Sequence, residues 1–159
     1  QLAQAIIDAR EKVFPCSRCG YLTDSNPCAI CQDESRDKEI LCVAEEASDI
    51  IAIERTGYKG RYYVLNKNFN LMGDNNLEEL NLDPFIKQLA AGVIKEVVLA
   101  LNPDIEGEVM ARYLAGIATT HGVKATRLAH GLPVGGDIEF ADEITCAEPW
   151  KDAKKYNII

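Results

Sequence analysis

The first apolar pattern in the chain has the spacing of a helix. Five apolar residues recur at intervals of three and four positions, which places them on one helical face. They are Leu2, Ala5, Ile6, Ala9 and Val13. The pattern predicts a helix over residues 2–13, and Pro15 ends it because proline lacks the N–H that another turn would need.

Beyond residue 35 the apolar spacing changes several times. Four short runs rich in branched and aromatic residues have the composition of β-strands. They are the segments 38–44, 61–65, 94–101 and 123–129. Stretches with a helical stripe separate these runs. The predicted helices begin at Ser48, Asp83 and Asp104, and glycines close them at positions 57, 92 and 122.

This alternation of strands and helices determines the predicted fold class. The order β-α-β-α-β-α-β predicts an α/β domain with a mostly parallel, four-stranded sheet. The run 94–101 is apolar almost throughout, which is typical of a strand buried on both faces. We therefore expect helices on both faces, and ligand sites beyond the carboxyl ends of the strands.

Polar side chains follow two of the predicted strands. Glu45 follows the first strand, and Asn102, Asp104 and Glu106 follow the third. If these strands are neighbours, the side chains converge on one acidic pocket. Two interpretations of the pocket stay open: a weak Mg²⁺ site, or solvated carboxylates stabilised by the dipole of the helix that starts there. A two-metal site for phosphoryl transfer would need more negative charge.

Four cysteines lie close together ahead of the first predicted strand of the sheet. They are Cys16, Cys19, Cys28 and Cys31, in a C-x2-C-x8-C-x2-C pattern. Four thiolates at this spacing suit tetrahedral Zn²⁺, and we predict a structural zinc site. Disulfides, a redox pair and an iron–sulfur cluster are the alternatives. Cys42 and Cys146 are predicted to be ordinary core thiols.

Composition and charge restrict the function classes. The chain has 159 residues, enough for one domain with a small satellite. Its apolar runs are far shorter than the ~18 residues of a membrane span, and its first residues do not resemble a secretory signal, so a cytosolic location is expected. The net charge of -8 disfavours nucleic-acid binding through bulk charge and requires a local basic patch instead. No G-x-x-x-x-G-K-[ST] loop is present, which excludes ATPases of that class.

Several motifs together resemble one family. A four-cysteine knuckle, a strand that ends at Glu45, and the segment NPDIEGE over residues 102–108 resemble RecR, a family of bacterial recombination mediators. Residues 36–49 and 52–65 carry further matching motifs, R-D…C-V-x-E…D and A-I-E…Y-x-V-L. The segment TRLAHGLPVGGDIEFADEIT, over residues 126–145, is similar to the Walker-B-like segment of the family.

The resemblance implies a zinc finger followed by a Toprim domain that is not an enzyme. Toprim topoisomerases carry Asp where Asn102 stands, whereas RecR proteins carry Asn. Members form ring-shaped tetramers that clamp DNA at junctions between single and double strands. With RecO and RecF they help to load RecA at single-strand gaps, in the bacterial cytoplasm and in association with the nucleoid. The alternatives are a Mg²⁺-dependent nuclease or topoisomerase fragment, and a zinc module that binds only proteins.

The resemblance also implies roles for particular residues. Glu45, Asn102, Asp104 and Glu106 would form a surface that binds protein partners or, weakly, Mg²⁺. The Walker-B-like loop would either contact a neighbouring subunit or serve only as a structural turn. Its residues are Gly135, Gly136 and Asp137. Five basic residues are candidates for DNA contacts. They are Arg18, Arg36, Lys38, Lys59 and Arg61.

We expect four regions along the chain. They are an N-terminal helix left from a DNA-binding region (1–15), the zinc finger (16–35), the Toprim domain (36–130), and the Walker-B-like segment with its tail (131–159). The family's helix-hairpin-helix segment is expected to precede Gln1. The loop 66–77 keeps only Leu71 and Gly73 of the family pattern, and the tail lacks the usual C-terminal helix motif. Trp150 is predicted to pack against its own domain, and an anchor for an altered contact with a neighbouring subunit is the alternative.

Overall fold

The structure, a computed structural model, describes residues 1–66, 77, 80–151 and 153. Most of the loop 66–77, including Leu71 and Gly73, lies outside the described residues, as does the end of the tail. The chain divides into two compact units, Gln1–Arg127 and Leu128–Ile159. In the described part of the chain, no helix combines the length and the apolar character that crossing a membrane requires.

The described residues of the larger unit form six strands and five helices. The strands are β1 (Phe14–Pro15), β2 (Leu22–Thr23), β3 (Ile40–Ala44), β4 (Arg61–Val64), β5 (Glu96–Ala100) and β6 (Lys124–Arg127). The helices are α1 (Leu2–Lys12), α2 (Ala29–Gln32), α3 (Ala47–Glu54), α4 (Asp83–Ala90) and α5 (Ile105–Thr120). Every predicted strand and helix is present, and only the ends shift by a few residues.

Four of the strands form one sheet in the order β4-β3-β5-β6, and all neighbours in it run parallel. This confirms the predicted fold class. Ala44 at the end of β3 lies opposite Ala100 at the end of β5. Because these strands are neighbours and end together, Glu45 and Asn102 leave the sheet at the same edge. The acidic pocket that the sequence predicts at this edge depends on the pairing of β3 with β5.

The two faces of the sheet are covered by different elements. Side chains of α4 and α5 pack on one face, where Phe85 and Leu114 are fully buried. On the other face, Ile50 of α3 packs against the sheet together with Tyr21 and Ile30 of the cysteine segment. The cysteine segment also reaches the sheet edge, since the N–H of Val64 donates to the carbonyl of Cys19 at 2.7 Å. The segment is therefore part of the core of this unit.

Some details of the sequence-based prediction are wrong. Glu46, and not Ser48, is the residue before α3, and its N–H donates to the Asp49 carboxylate at 2.9 Å. A carboxylate can reach back to the start of a helix as well as a hydroxyl can, and here it does so. Cys42 is a core thiol, 2% exposed, and burial raises its pKa to about 12. Cys146 is only half-buried.

The smaller unit contains a 3-10 helix (Ile138–Phe140) and the helix α6 (Glu143–Lys151) among its described residues. The prediction that Trp150 packs against its own domain is wrong, because its side chain is 82% exposed. Phe140 and Ile144 are also exposed, so this unit has no apolar core in its described part that could cover the indole.

Arg36 joins three parts of the larger unit. Its guanidinium donates to both carboxylate oxygens of Glu54, at 2.9 and 2.6 Å, and to the carbonyl of Gly60 at 3.1 Å. Tyr62 donates to the same carboxylate at 2.6 Å. The Arg36 side chain is only 8% exposed. The interpretation of Arg36 as a DNA contact is therefore wrong, because its guanidinium is buried and its two terminal nitrogens donate to Glu54 and Gly60 inside the protein.

Replacing Glu54 with glutamine is expected to lower the free energy of unfolding by about 2 kcal/mol, because a buried guanidinium would lose its main counter-charge and keep only the Asp33 carboxylate at 3.5 Å. Glu34→Gln is the matched control. Glu34 pairs with Lys38, but its side chain is 74% exposed. We expect the loss of this exposed, solvent-screened pair to leave stability nearly unchanged. Urea unfolding of both variants measures the difference, and equal losses would contradict the structural role of Arg36.

The pH dependence of this difference has a defined sign. The hydrogen bond from Arg36 lowers the pKa of the Glu54 carboxyl. The stabilisation is then complete above the pKa of the unfolded chain, about 4.3, and is lost only as the pH falls below it. The difference in the free energy of unfolding between the unsubstituted chain and Glu54→Gln should therefore stay constant from pH 7.5 to 5.5. A difference that widens as the pH falls through this window would show a raised pKa instead, because the folded state would then take up more protons than the unfolded chain.

Candidate zinc centre and acidic pocket

The four cysteines of the C-x2-C pairs form one buried cluster. Their sulfur atoms all lie within 4.8 Å of one another. The Sγ atoms of Cys16 and Cys31 are 4.0 Å apart, and those of Cys19 and Cys28 are 3.6 Å apart. A disulfide needs about 2.05 Å, whereas four sulfurs around Zn²⁺ at Zn–S distances of about 2.3 Å lie about 3.8 Å apart. The arrangement fits a tetrahedral metal site and not disulfides.

The backbone around the cluster explains how the sequence builds it. Pairing of β1 with β2 brings the first C-x2-C turn together, and the N–H of Gly20 closes that turn on the carbonyl of Cys16 at 2.8 Å. Gly20 has a φ of +78°, and a Cβ there would lie 2.7 Å from the carbonyl oxygen of Val64. Glycine is thus required both by the turn and by the approach of the sheet. The second pair enters α2, with Cys28 before its first residue.

The electrostatics of the cluster also fit a cation. The hydrogen bond from Cys19 lowers the pKa of the Cys31 thiol to about 6, while the same hydrogen bond raises the pKa of Cys19. Burial raises the pKa of Cys28. Four neighbouring thiols therefore cannot all ionise by themselves, and a bound Zn²⁺ supplies the positive charge that stabilises four thiolates. With all four sulfurs used, the ion has a structural role.

The acidic pocket is formed by hydrogen bonds within the chain. One oxygen of Glu45 accepts the backbone N–H of Asn102 at 2.9 Å, and the other accepts its side-chain amide at 2.6 Å. The convergence expected from neighbouring strands is therefore present. Asp104 is the N-cap of α5 and accepts the N–H of Gly107 at 2.7 Å. Asn102 acts here as a donor to a carboxylate.

The predicted pocket residues do not form a metal cluster like that of the cysteines. Among the described residues, the only group of three or more potential ligand side chains that converge is the set of four cysteines. Glu106 lies half-buried in the first turn of α5. Mg²⁺ binding by Glu45, Asp104 and Glu106 stays a prediction, and so does a role of these residues in partner binding.

Gly107 is a residue whose role the sequence did not reveal. A Cβ at this position would overlap the carbonyl oxygen of Asn102 and lie 3.2 Å from the Asp104 carboxylate. The glycine lets the start of α5 pack directly on the loop that carries Asn102. Apart from its place in the NPDIEGE motif, its sequence signal is a glycine within the first turn of a helix, where it costs up to about 1 kcal/mol relative to alanine.

The Walker-B-like loop in the smaller unit is an exposed turn. Gly135 has a φ of +82°, and the N–H of Gly136 donates to the carbonyl of Pro133 at 3.1 Å. Asp137 precedes the 3-10 helix, and its carbonyl accepts the N–H of Phe140 at 3.2 Å. This geometry accounts for the two glycines as turn residues. A role of the loop in a subunit contact stays a prediction.

The chain matches three family models. Residues 39–129 match the model of the Toprim domain, which is more than half of the chain. Residues 13–33 match the model of the four-cysteine zinc finger domain of RecR, and residues 131–145 match the RecR C-terminal model. The match over residues 13–33 includes all four clustered cysteines, which supports structural zinc as the bound ion.

Curated relatives agree with these models. The "Recombination protein RecR" of Syntrophomonas wolfei is 72% identical over 145 residues, which cover 91% of this chain and 74% of the relative. Proteins of the same name from Moorella thermoacetica and Heliobacterium modesticaldum are 50% and 46% identical. Those matches cover 92% and 91% of this chain, and 74% and 73% of the relatives. The matches extend over most of the chain, and the chain therefore belongs to the RecR family.

Proposed function

We propose that the chain is a non-catalytic mediator of recombinational DNA repair. Family membership and the names of the relatives support the process. The observation that supports a non-catalytic role is the pairing of Glu45 with Asn102. Both oxygens of this carboxylate accept N–H groups, where a Toprim enzyme would present two carboxylates to Mg²⁺. The pocket is thus built for hydrogen bonding and charge complementarity.

The proposed partners follow the family. RecO and RecF would bind the acidic pocket formed by Glu45, Asn102, Asp104 and Glu106, and the assembly would load RecA at single-strand gaps. DNA at junctions between single and double strands would be held by a homo-oligomer, either a dimer or a tetrameric ring. A net charge of -8 makes such an assembly with a local basic lining the physically favoured way to hold DNA. The setting would be the bacterial cytoplasm, near the nucleoid.

The four regions would divide this work. Residues 16–35 would hold the zinc ion, residues 36–130 would present the partner surface, and residues 131–159 would carry the Walker-B-like loop and the tail. The helix in residues 1–15 would lead into the DNA-binding region. The structural zinc ion would act on function only through the fold that it stabilises.

The proposal can be tested by binding of purified RecO to the oligomeric chain. Glu45→Gln should weaken RecO binding about tenfold, because a charge that faces the partner is lost. Glu11→Gln removes an equal charge from the exposed face of α1 and should leave binding unchanged. Binding that is unaffected by Glu45→Gln would contradict the pocket as the partner surface. DNA cleavage that requires Mg²⁺ or Mn²⁺ and vanishes in Asp104→Ala would establish the rival enzymatic function.

A further inference from the structure

A cavity of about 520 Å³ lies between the zinc finger and helix α4, within the larger unit. Ser17, Arg18 and Pro27 form one wall, and Pro84, Lys87 and Gln88 form most of the other. The side-chain amide of Gln88 donates to the carbonyl of Arg18 at 2.7 Å, which ties the two walls together. The cavity is therefore a built feature of the fold, and its volume is in the range of small-ligand sites.

The charges around this cavity are unusual for an acidic chain. Arg18 and Lys87 are both exposed, and neither forms an ion pair with any described residue. Most other described cations on the larger unit are paired. These are Lys12, Arg36, Lys38, Lys95, Arg112, Lys124 and Arg127. No described residue that lines the cavity is acidic. Outside the lining, Arg18 also acts electrostatically on the Cys31 thiol and the Glu34 carboxyl, and helps to lower their pKa values. The lining itself, with two cations and no carboxylate, favours an anion.

The donors of Arg18 are largely available to such a ligand. One of its guanidinium nitrogens donates to the carbonyl of Cys31 in a long hydrogen bond of 3.5 Å. A guanidinium has five N–H donors, so it can still bind a carboxylate with two parallel hydrogen bonds. Lys87 adds a second positive charge from the opposite wall.

Two further properties indicate the class of ligand. Pro27, Pro84 and Ala91 supply an apolar lining, while no aromatic ring for base stacking is found among the described lining residues. The net charge of -8 also repels a polyphosphate more strongly than a short ligand with a few charges. We propose that this cavity binds an acidic peptide segment of a partner protein, with an apolar side chain on the prolines and carboxylates on Arg18 and Lys87.

The proposal is tested on the full, zinc-loaded chain by fluorescence anisotropy. The probe is a labelled peptide, Asp-Asp-Leu-Leu-Asp-Asp, compared with Asn-Asn-Leu-Leu-Asn-Asn, Asp-Asp-Ser-Ser-Asp-Asp and a labelled single-stranded oligothymidylate. Lys87→Glu should weaken binding of the first peptide roughly tenfold, because one exposed ion pair is replaced by repulsion. Arg18→Ala should weaken it as well. Arg10→Glu, which reverses an exposed cation on α1 outside the cavity, should leave it unchanged.

Each outcome decides the proposal. Both neutral and serine-containing peptides should bind more weakly than the probe, and zinc content should be equal in all variants. If Lys87→Glu binds the acidic probe peptide as tightly as the unsubstituted chain does, the proposal is overturned. It is also overturned if the unsubstituted chain does not bind this peptide. Tighter binding of the oligothymidylate, with the same loss in Lys87→Glu, would identify the cavity as a nucleic-acid site instead. These results do not depend on whether RecO binds the acidic pocket.

Discussion

Cys28→Ser is expected to abolish zinc binding and to lower the free energy of unfolding of the larger unit by about 5 kcal/mol or more. The zinc finger buries few apolar side chains, since Phe14 and Leu22 are 38% and 48% exposed and, among its described residues, only Tyr21 and Ile30 pack inward. The ion supplies the missing stabilisation. The loss would extend to the sheet, because Tyr21 and Ile30 cover one of its faces.

The measurement combines metal analysis by native mass spectrometry with thermal unfolding. Cys146→Ser is the matched control, because this half-buried thiol lies outside the cluster. It should retain one zinc ion per chain and nearly unchanged stability. A chelator applied to the original chain should reproduce the effect of Cys28→Ser. A metal-free chain that unfolds at the same midpoint temperature as the zinc-loaded chain would show that the cluster does not need an ion.

Gly107→Ala is expected to destabilise the larger unit by about 3 kcal/mol, since a methyl group there overlaps a backbone carbonyl that cannot rotate away. The start of α5 would have to move from the loop, and the contacts between Asn102 and Glu45 would weaken with it. RecO binding, if it uses this pocket, should fall in the same variant. Urea unfolding measures the change in stability.

The same helix offers a control for Gly107→Ala. Gly116 also lies in α5, but a Cβ there meets nothing within 4 Å. Gly116→Ala should therefore stabilise the chain by about 0.5–1 kcal/mol, because alanine is the better helix former. Opposite signs for the two substitutions would separate the steric requirement at position 107 from helix propensity. A gain in stability in Gly107→Ala would contradict the close packing at this position.

Much of the fold followed from local patterns. The strands and helices of the sheet were predicted because apolar spacing and glycine positions report directly on backbone periodicity. The zinc ligands were predicted because a C-x2-C pair brings two sulfurs together within one turn. The start of α3 was less well predicted, because several neighbouring polar residues can serve as caps. Glu46 and Asp49 form the capping contacts at the start of α3, which begins at Ala47 and not at Ser48.

The residues that were misjudged are those whose partners lie far away in the sequence. Arginine is a residue type usually found on the surface, yet the guanidinium of Arg36 is buried against Glu54, 18 positions away. Tryptophan is a large apolar residue type that is usually largely buried, yet Trp150 is exposed. For a long charged or aromatic side chain, burial depends on which surfaces the fold brings next to it, and local periodicity contains no such information.

By itself, the sequence determined the parallel α/β class, the four sulfur ligands and the acidic character of the pocket, because each depends on residue type and short-range spacing. Only the tertiary structure decided that Asn102 donates to both oxygens of Glu45, and that Gly107 must lack a side chain. It also decided that Arg18 and Lys87 face one cavity, although they are far apart in the chain. These features depend on strand order and helix packing, which bring distant residues within hydrogen-bonding distance.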